Sequence, residues 1–408
     1  MSKSVVIVGG GGHVGLPLGL VLAARGLWVT LLDIDQAKVD RINAGEMPFR
    51  EKDADALLKK VVNTNLTATV NPSCLHTADV VITVVGTPVD RHLNPTVNEL
   101  YRSIDQLLQH MKDDTLLILR STVYPGVTKL VHDRIEMLKR KIHVAFCPER
   151  IAEGKAIEEL VQLPQIIAAF TPVAQERARD LFLHIAPDVI DLQPLEAELA
   201  KLFTNSWRYL NFAISNQFYT LAESYGLDFH RIHEAVTRDY PRMQSFSRPG
   251  FAAGPCLLKD TLQLSAFANN NFFLGHAAML VNEGLPNFIV EELRRSGVSL
   301  QCVAILGMAF KAESDDTRES LSYKLKNLLK VYSKEVLCTD PYVSDPTLVP
   351  LEVALERADV IILGAPHSDY RGLRIPSGKK VVDVWNFLSK AQELDSEPFE
   401  IAAKSGGK

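Results

Sequence analysis

The amino-acid sequence predicts an α/β protein that contains two Rossmann-like, doubly wound domains, joined by a long central helix and a small helical domain. Short β-branched segments alternate with helical segments in the N-terminal third, and the same alternation returns after residue 300. Between these regions, Glu196 to Tyr225 contains neither Pro nor Gly. This stretch predicts one uninterrupted helix of about 30 residues, roughly 45 Å long.

The first predicted strand, Ser4–Val8, is followed by a glycine-rich turn and by a helix over Leu16 to Arg25. The turn has the spacing Gly10-x-Gly12-x-x-Gly15, which is typical of dinucleotide-binding sites. Gly10 permits the tight turn, Gly12 lets the backbone approach a pyrophosphate, and Gly15 lets helix and strand pack closely. The helix N-terminus then faces the phosphates.

The second strand strengthens this interpretation, because a glycine-rich turn alone is a weak signal. Trp28–Leu32 ends at Asp33, roughly 20 residues beyond the glycines, where an acid that binds ribose belongs. A carboxylate there accepts hydrogen bonds from the ribose hydroxyls and repels a 2′-phosphate, which favours NAD over NADP. The alternative for Asp33 is a turn residue at a strand end.

Further strands and helices continue the N-terminal domain: strands Val80–Val85, Thr115–Leu119, His143–Phe146 and Gln165–Phe170, with helices over Val97–Met111 and Lys129–Leu138. Polar or Pro- and Gly-rich loops follow the strands, and ligands bind at the carboxyl ends of such strands. Thr87 and Thr122 are therefore candidates for contacts with a cofactor or a water, and Glu149 is a candidate acid or base. Each could also be an ordinary loop residue.

One face of the long helix carries Lys201, Asn205 and Arg208 at helical spacing. The alternative is a solvated stripe, but these residues have no acidic partners at matching positions. We therefore expect them to face an anionic or hydroxyl-rich ligand. The helix also carries apolar residues, namely Leu199, Leu202, Phe203, Trp207, Leu210 and Ile214. Such a helix also predicts a homodimer interface, through residues such as Phe212 and Phe218.

The segment Gly250 to Asp260 predicts a covalent active site. Cys256 lies in a Gly-rich bend, where a thiol is exposed enough to act as a nucleophile. The charge of Lys259 is expected to favour the thiolate, and Asp260 to position a proton or a water. The alternative is a buried structural Cys beside a surface Lys-Asp pair.

A second α/β unit follows, with strands Cys302–Leu306, Glu335–Cys338, Val360–Leu363 and Lys380–Val384, and helices over Ser322–Tyr332 and Val353–Glu356. The turn Gly307 to Lys311 resembles a degenerate phosphate-binding turn. Lys311 and Arg318 lie where an anionic nucleotide could bind, whereas Asp315 and Asp316 could simply begin a solvated helix.

The composition excludes several other classes of protein. The chain has 408 residues and a net charge of −5, which gives no basic field for nucleic acid or for an anionic membrane. Five scattered Cys residues without a CxxC pattern predict free thiols, no metal site and a reducing compartment. No apolar stretch predicts a signal peptide or a membrane span, so we expect a cytoplasmic protein.

With these motifs placed, the chain resembles the UDP-glucose/GDP-mannose dehydrogenase family of nucleotide-sugar 6-dehydrogenases, nearly end to end. The matching segments are Gly10 to Pro17, Asp33, Gly86 to Pro88, Ser121 to Val123, Pro148-Glu149, Ala152 to Gly154, Glu198 to Leu202, Asn205 to Asn211, Gly254 to Asp260, Gly307 to Lys311 and Asp316 to Ser320. So many ordered motifs are specific, although fold alone would not identify the chemistry.

The resemblance implies a four-electron oxidation of the C6 hydroxyl of a UDP-sugar to a uronic acid, with two NAD. Cys256 would form a thiohemiacetal and then a thioester. Lys201 and Asn205 would stabilise the oxyanion. Asp260 and Thr122 would hold the catalytic water. Glu149 would assist hydrolysis of the thioester.

The resemblance also implies the binding residues. Those for the cofactor are Gly10, Gly12, His13, Val14, Gly15, Asp33, Thr87, Thr122, Lys259 and Arg318. Those for the sugar nucleotide are Glu149, Arg150, Ile151, Ala152, Glu153, Lys201, Asn205, Arg208, Arg242, Phe251, Gly254, Lys259, Phe310 and Lys311. The implied regions are an NAD-binding domain over 1–195, a central helical and dimerisation domain over 196–298, a UDP-sugar-binding domain over 299–400 and a tail over 401–408.

The identity of the sugar depends on finer likenesses. Tyr240 to Met243 and Asn205 to Asn211 look like the N-acetylhexosamine enzymes, whereas Cys-x-x-Lys-Asp and Ala-Glu-Gly look more like the UDP-glucose enzymes. We expect UDP-GlcNAc or UDP-ManNAc as substrate, for envelope or capsular polysaccharide. UDP-glucose, a two-electron hydroxyacid dehydrogenase and a non-catalytic nucleotide-sugar-binding protein remain as alternatives.

The chain departs from the family pattern at several positions. Pro255 and the pair Ala252-Ala253 alter the family's Gly-Gly bend, and His13 stands where a Tyr is usual. Trp385 stands where the family often has an Arg that contacts the sugar nucleotide.

Overall fold

The computed structural model describes residues 3–86 and 96–388. It contains an eight-stranded N-terminal sheet, a group of helices built around one long helix, and a four-stranded C-terminal sheet. The predicted fold, two Rossmann-like domains joined by a long central helix and a small helical domain, is confirmed. Thr87 and the predicted tail lie outside the described residues.

The N-terminal sheet has the order β3-β2-β1-β4-β5-β6-β7-β8, and its neighbours are parallel except β6 and β7. Its strands are β1 Ser4–Val8, β2 Trp28–Leu32, β3 Leu66–Thr69, β4 Val80–Thr83, β5 Leu116–Leu119, β6 His143–Phe146, β7 Gln165–Ala169 and β8 Val189–Leu192. Its helices are α1 Gly15–Ala24, α2 Gln36–Asn43, α3 Ala54–Val61, α4 Val97–His110, α5 Val127–Met137, α6 Ala156–Gln162 and α7 Pro172–Phe182. Two apolar clusters cover the two faces of this sheet.

The long helix, α8, spans Pro194–Ser224 and begins two residues earlier than the sequence predicts. Pro194 suits the first turn, because the missing N–H would have no helical partner there. The Glu196 carboxylate also accepts from the Gln193 N–H at 2.8 Å, which caps the helix start. Helices α10 (Leu257–Phe267) and α11 (Phe273–Arg295) pack against α8, and α9 (Phe229–Thr237) follows α8 in the chain.

The C-terminal sheet is parallel, with the order β10-β9-β11-β12. Its strands are β9 Cys302–Leu306, β10 Glu335–Thr339, β11 Val360–Leu363 and β12 Lys380–Val382, with helices α12 Leu321–Leu329 and α13 Leu351–Arg357. Within the two described ranges, no helix is long and apolar enough to cross a membrane.

Candidate active site

The glycine-rich turn after β1 forms a cradle in which Gly10 and Gly15 have no room for a side chain. A Cβ on Gly15 would lie 2.7 Å from Gly9 O, and one on Gly10 would lie 2.8 Å from Ile7 O. At Gly12 the nearest atom would be 3.6 Å away, so that glycine leaves space above the turn rather than filling a contact. Helix α1 begins directly after Val14, and its first N–H groups point towards this space.

Asp33 follows β2 and closes one side of this cradle. Its Oδ2 accepts from the Gly11 N–H at 2.8 Å, and its Oδ1 accepts from the Asp35 N–H at 3.1 Å. The side chain is only partly buried, so the carboxylate keeps lone pairs for a ribose hydroxyl. The open glycine turn and this acid together fit an NAD molecule.

His13 brings the cradle into contact with the C-terminal domain. Its ring lies 4.0 Å from the ring of Phe49 between centroids, with the two planes tilted by 35°, and burial lowers the pKa of the imidazole. Ligand atoms of His13, Glu153 and Asp316 lie within 4.8 Å of one another. Arg318 already pairs with both carboxylates, through Asp316 Oδ2 at 2.5 Å and Glu153 Oε1 at 3.4 Å. The guanidinium of Arg318 therefore already supplies the positive charge that these two carboxylates face.

Glu153 stands out within the cluster. Burial, helped by the charge of Asp316, raises the pKa of its carboxyl to about 7, although Lys311 and Arg318 oppose the shift. Lys311 reaches the same loop, because its Nζ donates to the Glu153 carbonyl oxygen. The predicted ligands Glu153, Lys311 and Arg318 thus come together between the two α/β domains.

A second group of predicted site residues surrounds the start of α10, where the predicted nucleophile lies. Cys256 is exposed and immediately precedes α10. The first turn of α10 then directs Asp260 inward, where its side chain is fully buried. Asp260 Oδ2 accepts from Asn205 Nδ2 at 2.6 Å and from the Thr122 hydroxyl at 3.3 Å, while Lys259 Nζ lies 3.4 Å from Oδ1. Residues from the loop after β5, from α8 and from α10 thus converge on one carboxylate.

Burial lowers the pKa of the Lys201 ammonium, while the negative charges of Asp260, Cys256 and Glu149 act in the opposite direction. The polar face that the sequence predicts on α8 is therefore turned towards the thiol segment at Lys201 and Asn205. Arg208, at the end of the same stripe, is exposed.

The expectation that Lys259 lowers the pKa of Cys256 is only half right. Lys259 and Lys201 do act in that direction, but desolvation is the larger cause, and the charge of Asp260 adds to it. The pKa of the free thiol is therefore raised, although the residue as a whole is exposed.

Glu149 has a partner that sequence reasoning missed. The guanidinium of Arg120, which is fully buried, pairs with Glu149 and donates to Cys147 O at 3.2 Å and to Gln165 Oε1 at 3.0 Å. Glu149 Oε1 meanwhile accepts from the N–H groups of Arg150 and Ile151. The only signal for Arg120 in the sequence is its place directly after a predicted strand.

Other predicted ligands occupy varied surroundings. Phe310 covers Gly254, where a Cβ would lie 2.5 Å from Phe310 Cδ2. Phe251 is buried in the apolar cluster that α11 and the C-terminal sheet share. Ala152 donates from its N–H to Glu159, and Arg150 donates to the Pro164 carbonyl. Arg242 is exposed and donates to the Tyr240 hydroxyl at 2.7 Å.

Two Rossmann-like domains, a dinucleotide cradle and a thiol that feels the charges of Lys201 and Asp260 together define an NAD-dependent oxidoreductase. Residues 3–186 match the NAD binding domain of the UDP-glucose/GDP-mannose dehydrogenase family, residues 195–283 match its central domain and residues 304–390 match its UDP binding domain. The chain belongs to this family, and its cofactor is NAD.

Relatives of this chain include one archaeal and one bacterial enzyme. A UDP-N-acetyl-D-mannosamine dehydrogenase of Methanocaldococcus jannaschii is 30% identical, over 100% of this chain and 98% of the relative. An NDP-N-acetyl-D-galactosaminuronic acid dehydrogenase of Ralstonia nicotianae is 28% identical, over 90% and 92%. The solved UDP-D-ManNAc dehydrogenase of Pyrococcus horikoshii superposes with a TM-score of 0.83 at 30% identity, covering 91% of each chain.

Proposed function

We propose that this protein oxidises the C6 hydroxyl of a UDP-N-acetylhexosamine to the uronic acid, with UDP-ManNAc ahead of UDP-GlcNAc. The observation that carries the four-electron chemistry is an exposed thiol, Cys256, beside the buried pair of Asp260 and Asn205. Several relatives named as UDP-N-acetyl-D-mannosamine dehydrogenases support the choice of sugar. UDP-glucose remains the alternative substrate.

NAD, when bound, supplies the acceptor for the hydride that each oxidation removes from C6. The glycine turn and Asp33 would hold it, and the helix α1 N-terminus would stabilise its phosphates. All other steps are assigned to side chains of this chain.

In the first oxidation, a hydride leaves C6 while the C6 hydroxyl passes its proton to the water that Asp260 and Thr122 would hold. Lys201 lies near enough to influence Asp260 and Cys256 electrostatically, so its ammonium would stabilise the alkoxide that develops. The same charge would then stabilise the oxyanion of the thiohemiacetal, which forms when Cys256 Sγ gives up its proton to water and bonds to C6 of the aldehyde. Covalent capture keeps the aldehyde in the site between the two oxidations.

In the second half-reaction, loss of another hydride converts the thiohemiacetal into a thioester, and water attacks its carbonyl carbon. Asp260, held by Asn205 and Thr122, would orient that water. Cys256 leaves as the thiol, and the uronic acid is released. Glu149 would assist this hydrolysis from a carboxylate whose orientation Arg120 maintains.

Several wider statements belong to the same proposal. The NAD-binding, central and UDP-sugar-binding regions would span 1–195, 196–298 and 299–400. The protein would work in the cytoplasm and supply uronic acid for envelope or capsular polysaccharide. It would form a homodimer along α8, where Phe203 and Trp207 are 55% and 58% exposed at a groove of about 520 Å³.

The test is NADH release with UDP-ManNAc, UDP-GlcNAc, UDP-GalNAc, UDP-glucose and GDP-mannose, with products identified by mass spectrometry. Two NADH per uronic acid are expected from UDP-ManNAc, and Cys256→Ala should abolish the acid. Cys74→Ser is the matched control, since Cys74 lies on a short helical turn before β4. One NADH per sugar with an active Cys256→Ala would indicate a two-electron dehydrogenase. Binding of UDP-sugar without any turnover would favour the non-catalytic alternative.

A further inference from the structure

The segment that carries Cys256 is covered at two of its glycines by aromatic rings from the C-terminal domain. The ring of Phe310 lies over Gly254, and the indole ring of Trp385 lies over Gly250. A Cβ on either glycine would collide with the ring above it. Gly254 also has a φ of +98°, which only glycine adopts without strain.

Trp385 is held firmly from its own side. It follows β12 in a turn that the Asp383 carboxylate organises, by accepting from the N–H groups of Trp385 at 3.1 Å and of Phe387 and Leu388 at 2.7 Å. Its indole Nε1–H donates to Gly364 O at 3.1 Å. The ring is thus fixed to the loops that follow β11 and β12. It must therefore move together with the C-terminal domain.

Gly250 is held from another side by the central helix. The Asn216 side chain accepts from the Gly250 N–H at 2.8 Å and donates to the Gly250 carbonyl at 3.0 Å. Asn216 is fully buried on α8, and its Nδ2 also lies 2.9 Å from Asn282 Oδ1 on α11. The Gly250 peptide therefore has Asn216 along its edge and Trp385 over its Cα.

We propose that Trp385 is a positioning residue for Cys256. Its ring links the position of the C-terminal domain to the position of the thiol. This proposal rests on the proposed role of Cys256 as nucleophile. The structure supports a role distinct from ligand binding, because the indole N–H already donates to Gly364 O and the ring faces Gly250.

Removal of the indole ring would leave a void over Gly250. The segment could then shift towards it while Asn216 still held the peptide edge, and Cys256 would move away from the protein atoms that desolvate it. The thiol would gain water, and its ionisation would become easier. A merely structural tryptophan would lower thermal stability without this local effect on the thiol.

The experiment measures alkylation of Cys256 by iodoacetamide across a range of pH, with neither NAD nor sugar present, by mass spectrometry of the Cys256 peptide. Trp385→Ala should speed alkylation at neutral pH about threefold to tenfold and move the profile to lower pH, because the thiolate is the reactive form. Trp385→Phe, which keeps a ring over Gly250 but loses the bond to Gly364, should give a smaller change and serves if Trp385→Ala fails to fold. Trp28→Ala is the control, since Trp28 is 56% exposed on β2.

Wild-type alkylation rates and pH profiles in both Trp385 variants would overturn the proposal. So would a variant that loses UDP affinity while its Cys256 reactivity is unchanged, since Trp385 would then act on the ligand directly. Because no turnover is required, a failure here is separable from a failure of the proposed reaction. If UDP-ManNAc oxidation is observed, Trp385→Ala should lower kcat more than it changes KM for NAD.

Discussion

Asp340 occupies the same place in the C-terminal sheet that Asp33 occupies in the N-terminal sheet. Each directly follows the strand beside the first strand of its domain, and each accepts from the backbone of the glycine turn: Asp33 from Gly11 N at 2.8 Å, Asp340 from Met308 N at 2.6 Å and Ala309 N at 3.0 Å. The two sheets thus repeat one local design.

The two acids differ in what remains free. Asp340 also accepts from the N–H groups of Tyr342 and Val343, and it lies 3.1 Å from His367 Nε2, with its side chain fully enclosed. The Glu313 N–H donates to His367 Nδ1, so His367 must carry its proton on Nε2 and donate it to Asp340. Asp340 therefore has no lone pair left for a ribose, whereas partly exposed Asp33 does. Of these two acids, it is Asp33 that keeps lone pairs free for a ribose hydroxyl.

The first prediction concerns this free carboxylate. Asp33→Asn should weaken NAD binding about tenfold, because hydrogen bonds to a charged group contribute about 1.5–3 kcal/mol, and should narrow the preference for NAD over NADP. Isothermal titration with each cofactor measures both effects. Asp35→Asn is the matched control: it removes the same charge two residues away and keeps an oxygen to cap α2. Unchanged NAD affinity in Asp33→Asn would exclude Asp33 from the cofactor site.

The second prediction concerns the charges around Cys256. Burial and Asp260 raise the pKa of this thiol, while Lys259 and Lys201 lower it. Asp260→Asn should therefore lower the pKa and Lys201→Met should raise it further. The alkylation rate at fixed neutral pH would rise in the first variant and fall in the second, because only the thiolate reacts.

The measurement is the pH dependence of Cys256 alkylation in each variant, with Cys74 in the same spectrum as an internal control. Profiles that move in one common direction would contradict the electrostatic account. They would indicate instead that both substitutions displace the segment before α10.

The fold could be predicted from the sequence wherever the pattern was local. The strand at Ser4–Val8 and the helix over Glu196 to Tyr225 were found because β-branched runs and a long stretch without Pro or Gly are local signals. Strands β3 and β8 were missed, since each lies at an edge of the sheet and mixes polar with apolar residues. The antiparallel β6–β7 pair was equally invisible, because strand direction depends on the connection between strands.

In the candidate site, too, local sequence signals were found and features that depend on the folded chain were missed. The glycine turn and Asp33 have fixed spacing, and the convergence of Asn205 and Thr122 on Asp260 agrees with the expected grouping. Arg120 was missed because nothing in a sequence states that an Arg after a strand will be buried. The raised pKa of Cys256 was missed for a related reason: neighbouring charges can be read from a sequence, but desolvation cannot.

The third prediction concerns stability in acid. Hydrogen bonds from His367 and from the backbone hold the pKa of Asp340 at about 2 in spite of its burial. A carboxyl whose pKa is lower when folded stabilises the protein above its unfolded pKa, and this contribution is lost as the pH falls towards about 2. From the ordinary Asp value of about 3.9, the shift corresponds to about 2–3 kcal/mol at neutral pH.

Asp340→Asn should therefore lower the free energy of unfolding at pH 7, and its difference from wild type should shrink as the pH falls from about 4 to about 2. Urea denaturation followed by circular dichroism at these pH values measures this. Asp33→Asn is the matched control, because Asp33 has the equivalent place but is not enclosed. A difference between wild type and Asp340→Asn that stays constant with pH would show that the loss is steric.

The last prediction concerns the apolar groove beside α8. Its wall includes Leu210 and Phe267, and Phe203 and Trp207 project at its edge. A second copy of the chain is the occupant we propose, since two large aromatic side chains exposed on one helix face are costly in water. Burying such aromatic anchors commonly contributes about 2 kcal/mol or more each.

Trp207→Glu should therefore yield monomers in sedimentation equilibrium at concentrations where wild type is dimeric, with the monomer still folded because Trp207 is largely exposed. Trp28→Glu introduces the same charge at an equally exposed tryptophan on β2 and should remain dimeric. A wild-type protein that is monomeric at every concentration, or a Trp207→Glu variant that stays dimeric, would remove α8 from the interface.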